Sequence, residues 1–146
     1  MDEAGLLADG WQRLTMVRYS AALGPVFKRI DRGKLEVCLL AQEHIGNDSF
    51  GIVHGGAMMT FADLALGIAV GHATGSSPFV TAQMQVQFVS AARTGQVIHC
   101  EPEVIRRTAS LVFLRALFTS ADAVVASADG IFKLIAPEKV RRLRAG

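Results

Sequence analysis

Residues 51–75 read GIVHGGAMMTFADLALGIAVGHATG, and the reading of this stretch decides the rest. From Ile52 to Val70 it is largely apolar and about as long as a bilayer-spanning helix, yet it carries His54, glycines and a central Asp63. An aspartate at mid-span costs about 2.5–3.5 kcal/mol on insertion scales. The segment therefore reads as a helix buried inside a soluble protein and not as a membrane span. It starts near Gly55-Gly56 and ends by Gly75, where Ser76-Ser77-Pro78 closes it.

Downstream, Thr81, Gln83, Gln85 and Gln87 alternate with Val80, Ala82, Met84, Val86 and Phe88, the period-two pattern of a strand. Further strands are expected over 96–107, with Pro102 marking an edge or bulge, and over 110–119 and 124–135. The turns between them hold Thr108-Ala109 and Ala121-Asp122. Upstream, the runs 26–30 and 35–40 flank Asp31-Arg32-Gly33, a hairpin signal, and a polar loop follows over 42–50. Residues 1–22 read as a helical lead-in broken by Gly24-Pro25, and 137–146 as a basic, frayed tail. The order is two strands, one long helix, then four strands in a meander. That predicts one α+β domain over 1–146, an antiparallel sheet of about six strands wrapped around one long central helix.

Composition narrows the function classes. The chain has 146 residues, 51% hydrophobic and only 19% charged, which excludes disorder and predicts a substantial self-association surface. A net charge of +2 is too small to make nucleic acid or an anionic membrane the main partner. Cys38 and Cys100 lie far apart with no CxxC, which reads as reduced thiols in a cytoplasmic protein, and MDEAGLLADGWQR does not read as a secretory signal. His44, His72 and His99 have no metal-ligand spacing, so neither a metal nor a cofactor is expected. The chain also lacks GxSxG and a phosphate-binding GxxxxGK[ST].

Asp63 is the only acidic residue in the helix, and burying it unpaired would cost several kcal/mol. Gly56, Thr60, Asp63 and Gly67 fall on one narrow small-or-polar stripe, along which a helix, a strand or a ligand could approach closely. Asp63 either fixes packing through a neighbouring amide or partner side chain, or acts as a base or nucleophile whose pKa is raised by desolvation. Val53-His54-Gly55-Gly56 at the helix mouth is either an ordinary tight start or a pair of bare N–H groups at the positive end of the dipole, able to polarise a carbonyl.

Gly51-Ile52-Val53-His54-Gly55-Gly56 followed by Phe61-Ala62-Asp63 resembles the signature of hotdog-fold acyl-CoA thioesterases, nearest to the phenylacetate-pathway (PaaI-like) branch. The resemblance runs from about 35 to 135. It implies a homodimer or a tetramer of dimers, with sites at subunit interfaces. The Gly55 N–H would polarise the thioester carbonyl, and Asp63 of the facing subunit would activate water or attack directly. His54 belongs to the same motif, and Gly56 adjoins the substrate. Thr81 matches the position that helps hold the nucleophilic water. The family's asparagine, six residues before the histidine, is here Asp48, with Asn47 one earlier. Either Asn47 does that work after a one-residue slip, or Asp48 replaces it. Arg93, Arg106 and Arg107 match places where basic groups meet coenzyme A phosphates, and Met58, Met59, Phe61, Leu64 and Phe88 are candidate acyl-pocket walls or plain core.

Thioester hydrolysis needs a dipole for the oxyanion and one carboxylate to deprotonate water. The expected activity is therefore acyl-CoA hydrolysis to a carboxylic acid and free coenzyme A. The alternative is a non-catalytic acyl-CoA sensor or carrier on the same scaffold.

Overall fold

The computed structural model describes all residues from Met1 to Gly146. Its elements are α1 (Glu3–Ala8), β1 (Gln12–Arg13), a 3-10 turn (Arg18–Leu23), β2 (Val26–Asp31), β3 (Lys34–Leu40), α2 (Gly55–Thr74), β4 (Phe79–Phe88), β5 (Val97–Cys100), β6 (Glu103–Arg107), β7 (Leu111–Ser120), β8 (Ala123–Leu134) and α3 (Pro137–Ala145). The β2–β3 hairpin turns through Arg32 and Gly33, at φ 49° and 79°, the two left-handed residues that a tight hairpin turn requires. Ala121 and Asp122, at φ 48° and 63°, make the same kind of turn between β7 and β8.

All pairings are antiparallel, in the order β1-β2-β3-β5-β7-β8-β4, with β6 also on β7. This corrects the expected meander of four consecutive strands: β4 leaves the helix for the far edge and pairs only with β8, the last strand. It also corrects the single strand expected over 96–107. β5 and β6 lie against different halves of β7, and Pro102, which has no N–H to give the ladder, sits in the break. The sheet thus has eight strands, not six, one of them only two residues long.

One face of the curved sheet wraps α2. Val37, Leu39, Ile98, Leu114, Phe118 and Phe132 meet Phe61, Leu66 and Val70 of the helix. Phe61 and Phe118 pack edge to face at 5.5 Å. Two glycines set the approach. A Cβ at Gly67 would lie 3.0 Å from Phe79 Cζ, so strand β4 is what comes close to that part of the stripe. A Cβ at Gly130 on β8 would lie 3.0 Å from Phe132 Cε2, 3.2 Å from the Gln83 carbonyl and 3.4 Å from Leu66 Cδ1. The helix is not covered all round: Gly56, Met59 and Asp63 are exposed on the one side that the chain's own sheet leaves open. α2 is long and apolar enough to cross a bilayer by length and composition alone, yet its apolar residues line the core of the sheet.

The opposite face of β2, β3 and β5 is covered by the N-terminal segment, where Leu6 and Trp11 pack on Phe27 and Cys38. This replaces the helical lead-in expected over residues 1–22. α1 stops at Ala8 because Gly10 turns the chain at φ 83°, and Gln12–Arg13 then pairs with β2. Beneath Trp11, the buried carboxylate Glu36 is bound by Arg29, which stacks 4.5 Å over the indole, and by His99 at 3.3 Å. Burial pushes the Glu36 carboxyl up, but the hydrogen bond and charge of Arg29, with His99, outweigh it and hold the group below its ordinary value. Both cysteines are free and buried. Burial pushes the Cys38 thiol up to about 12, and Cys100 rises well above its ordinary value for the same reason. Cys100 is in register with Val37, so the two thiols lie on opposite faces of neighbouring strands. The tail is also not frayed: Pro137–Ala145 forms α3, with Pro at its start, where a missing N–H costs nothing.

Candidate active site

The loop before α2 is closed on itself by backbone. Gly46 bridges Val53, the Asn47 N–H donates to the Ile52 carbonyl at 2.7 Å, and the His54 N–H donates to the Ile45 carbonyl at 2.8 Å. His54 is the N-cap of α2, and its Nδ1 accepts from the Gly56 N–H at 2.9 Å. The two bare amides expected at the helix mouth therefore reduce to one. Gly56 is committed to the histidine, while the N–H of Gly55, the first helical residue, has no acceptor within the protomer. It sits at the positive end of a 20-residue helix.

Two cavities flank this mouth. One, of about 330 Å³, is walled by Ile52, Val53, Met58, Phe88 and Val125, with Asn47 and Gly55, and has no charged side chain. The Phe88 ring lies over Gly55, 3.6 Å from where a Cβ would be. The other, of about 350 Å³, is mixed in character: Tyr19, His44, His54 and Thr60 line it together with Ala22, Leu23, Ile45 and Ala57. At about 100° per residue, Gly55 and Met58 fall on one side of α2, and Gly56, Ala57 and Thr60 on the other.

Asp63 lies eight residues beyond Gly55, about 12 Å along the axis at 1.5 Å per residue. Thr81 on β4 donates to its Oδ1 at 2.6 Å. The expected burial of Asp63 does not hold within one protomer, because it stands on the open stripe and lines neither cavity. Asn47 shares the apolar cavity with Gly55, its Oδ1 accepting from the Phe50 N–H at 3.0 Å, whereas Asp48 is exposed and lines neither. Arg93 is exposed beside the mouth, where its backbone bridges Ile52. Arg106 and Arg107 stand on β6, and Arg107 Nη1 donates to the Ala73 carbonyl at the opposite end of α2. Of the candidate pocket walls, Met58 and Phe88 line the apolar cavity, Phe61 and Leu64 belong to the core, and Met59 is 45% exposed on the open stripe. Tyr19, which the sequence does not mark, and His44, considered there only for metal spacing, stand at the second cavity. No periodicity or motif marks them, since both lie in short 3-10 turns, Arg18–Leu23 and Glu43–Ile45.

A family model described as "Thioesterase superfamily" matches residues 50–127. A Pseudomonas aeruginosa protein provisionally named as an esterase is 32% identical over 113 residues, which cover 77% of this chain and 84% of the relative. Among solved structures, a mutant of the phenylacetic acid degradation protein PaaI from Thermus thermophilus superposes with a TM-score of 0.68 at 19% identity, over 80% of this chain and 98% of that one. A Bacillus halodurans protein crystallised with CoA gives 0.61 at 20% identity, over 68% and 66%. An antiparallel sheet wrapped on one long helix, a free amide at the helix mouth and these matches agree: the chain belongs to the thioesterase superfamily, has its hotdog fold, and is a thioesterase-type hydrolase.

Proposed function

We propose that this chain is a cytoplasmic acyl-CoA thioesterase of the PaaI-like branch, acting as a homodimer or a tetramer of dimers. The observation that carries the reading is the unpartnered Gly55 N–H beside an apolar cavity of about 330 Å³. The acyl group enters that cavity and its carbonyl oxygen meets the amide. Water, deprotonated by the partner subunit's Asp63, adds to the carbonyl carbon. The tetrahedral oxyanion collapses, the C–S bond breaks, and the thiolate leaves with the electron pair and is protonated. Direct attack by the same carboxylate, through a mixed anhydride, is the other route to the same products. Thr81 orients Asp63, Asn47 positions water or substrate beside Gly55, and His54 holds the turn by capping. Arg93, exposed beside the mouth, is assigned to a coenzyme A phosphate, and Arg106 and Arg107, at the far end of the helix, to such a phosphate bound at a partner subunit's mouth.

The open stripe supports the shared site. If Asp63 of one protomer faces Gly55 of the other, antiparallel helices cross near residue 59, and Met59 is the exposed apolar side chain there. Thr81 touches Asp63 and Phe88 touches Gly55, so the same symmetry pairs 81 with 88 across the free edge of β4 and puts the axis between Met84 and Gln85. Both centres fall in the middle of surfaces that one chain leaves uncovered. The buried, free cysteines suit a reducing compartment.

The test is thiol release from a panel of acyl-CoAs by wild type and Asp63→Ala. A loss of at least a hundredfold in kcat, with binding retained, supports the assignment. Binding without turnover by wild type would replace it with a sensor or carrier.

A further inference from the structure

Met84, Val86 and Phe88 form the last stretch of β4 side chains that face α2. Met84 and Val86 pack against the core, whereas the Phe88 ring is 57% exposed and rests on the helix mouth. Its Cε1 and Cζ atoms both lie 3.6 Å from the point where a Gly55 Cβ would be. The same ring walls the apolar cavity with Ile52, Val53, Met58 and Val125. It thus borders both the free amide and the space beside it, while adding little to the core.

We infer that Phe88 determines specificity at the α-carbon of the acyl group, admitting thioesters with an unbranched α-carbon and rejecting those that carry a substituent there. The inference rests on the proposed reaction at Gly55. A carbonyl oxygen bonded to the amide lies about 2.9 Å from its nitrogen. The α-carbon is then within about 5.5 Å of that nitrogen, two bonds beyond the oxygen. From there the acyl chain turns into the cavity that the Phe88 ring lines, so the α-carbon passes the ring in van der Waals contact. A second carbon on it would press into the ring. The opposite face of the carbonyl is kept by the attacking water and the partner subunit's Asp63. A methyl group placed deeper along the chain meets instead the open volume of about 330 Å³.

The experiment measures kcat/KM of wild type, Phe88→Ala and Phe88→Leu on hexanoyl-CoA and phenylacetyl-CoA, each beside its α-methyl derivative. Benzoyl-CoA and a hexanoyl-CoA methylated near the chain end are run with them. A misplaced methyl group in an apolar pocket is worth about tenfold to two-hundredfold, so wild type should disfavour each α-methyl derivative by at least about tenfold. Phe88→Ala should bring that ratio to within about threefold of unity, with Phe88→Leu between the two. The ratio for the methyl group near the chain end should be the same in all three proteins. Each ratio is taken within one protein, so a general loss of folding, assembly or turnover cancels and only a change of selectivity moves it. Three results would overturn the role of Phe88 and leave the hydrolase reading standing: a wild type indifferent to the α-methyl group, a Phe88→Ala that slows all substrates equally, or a preference for benzoyl, whose α-carbon bears two ring neighbours. A wild type that hydrolyses none of the thioesters would overturn both.

Discussion

Replacing Gly55 by proline deletes one hydrogen-bond donor and puts a ring carbon where its hydrogen was. Gly55 is the first residue of α2, the helical position whose N–H has no intrahelical acceptor and where proline is favoured. His54 before it has φ −59° and ψ 136°, the extended region that a following proline demands. The new Cβ would sit 3.6 Å from the Phe88 ring, an ordinary contact. The fold should therefore survive. The lost N–H is the donor assigned to the oxyanion, and removing one such donor costs about 10²–10³ in kcat, or roughly 2.7–4 kcal/mol. Gly55→Ala keeps the N–H and adds the same Cβ, so it should stay within a few-fold of wild type. Thiol release on one good acyl-CoA, with a thermal melt of each variant, decides the matter. A folded Gly55→Pro that retains more than about a fifth of wild-type kcat would refute the role of this amide. An equal loss in Gly55→Ala would shift the cause from the N–H to the space beside Phe88.

Mixing Gly55→Pro and Asp63→Ala proteins, each inactive, should restore about one quarter of wild-type activity, since half of the random dimers are hybrids with one intact site of two; no recovery would place both groups in one protomer. Glu36→Gln should lower Tm at pH 7 by about 4–8 °C, from roughly 2 kcal/mol for a pair whose arginine side chain is 30% exposed. Because the Glu36 carboxyl is held below its ordinary value, its contribution is complete above about pH 4.3 and fades as pH falls through the folded value, so melts below that range should show the two proteins converging. Ala121→Gly relieves an alanine held at φ 48° and should raise Tm by about 2–4 °C; an unchanged or lower Tm would mean that the freedom gained by the unfolded chain offsets the relief.

Periodicity in the sequence reveals each element better than its neighbours. The alternation from Val80 to Phe88 marks β4 without saying that its partner is β8, because a period of two fixes which side chains share a face and nothing about which strand lies alongside. Asp63 reads as buried because its chain neighbours are apolar. They turn toward the sheet, and it remains on the stripe that the sheet leaves bare. Glu36 shows the reverse. It sits unremarked within the run from Leu35 to Leu40, and only the register that pairs it with Arg29 explains how a carboxylate survives there. Spacing leaves the loop asparagine open between 47 and 48; the backbone bonds around Asn47 set it beside Gly55, while Asp48 is exposed and lines neither cavity.

Gly130 behaves mechanically as the thin point of a spacer. With Phe132, Leu66 and the Gln83 carbonyl all within 3.4 Å of the missing Cβ, no single neighbour can yield alone, and one of them is the backbone of β4. A methyl group added there would act as a wedge between sheet and helix, prying the turn at Leu66 outward and tilting the adjoining turn that carries Asp63. Gln83 lies two residues from Thr81, so the same wedge would disturb the strand that orients the carboxylate. A buried position with no chemical group of its own would thereby shift Asp63 against Thr81, and on the proposed mechanism substitutions there should lower turnover as well as stability.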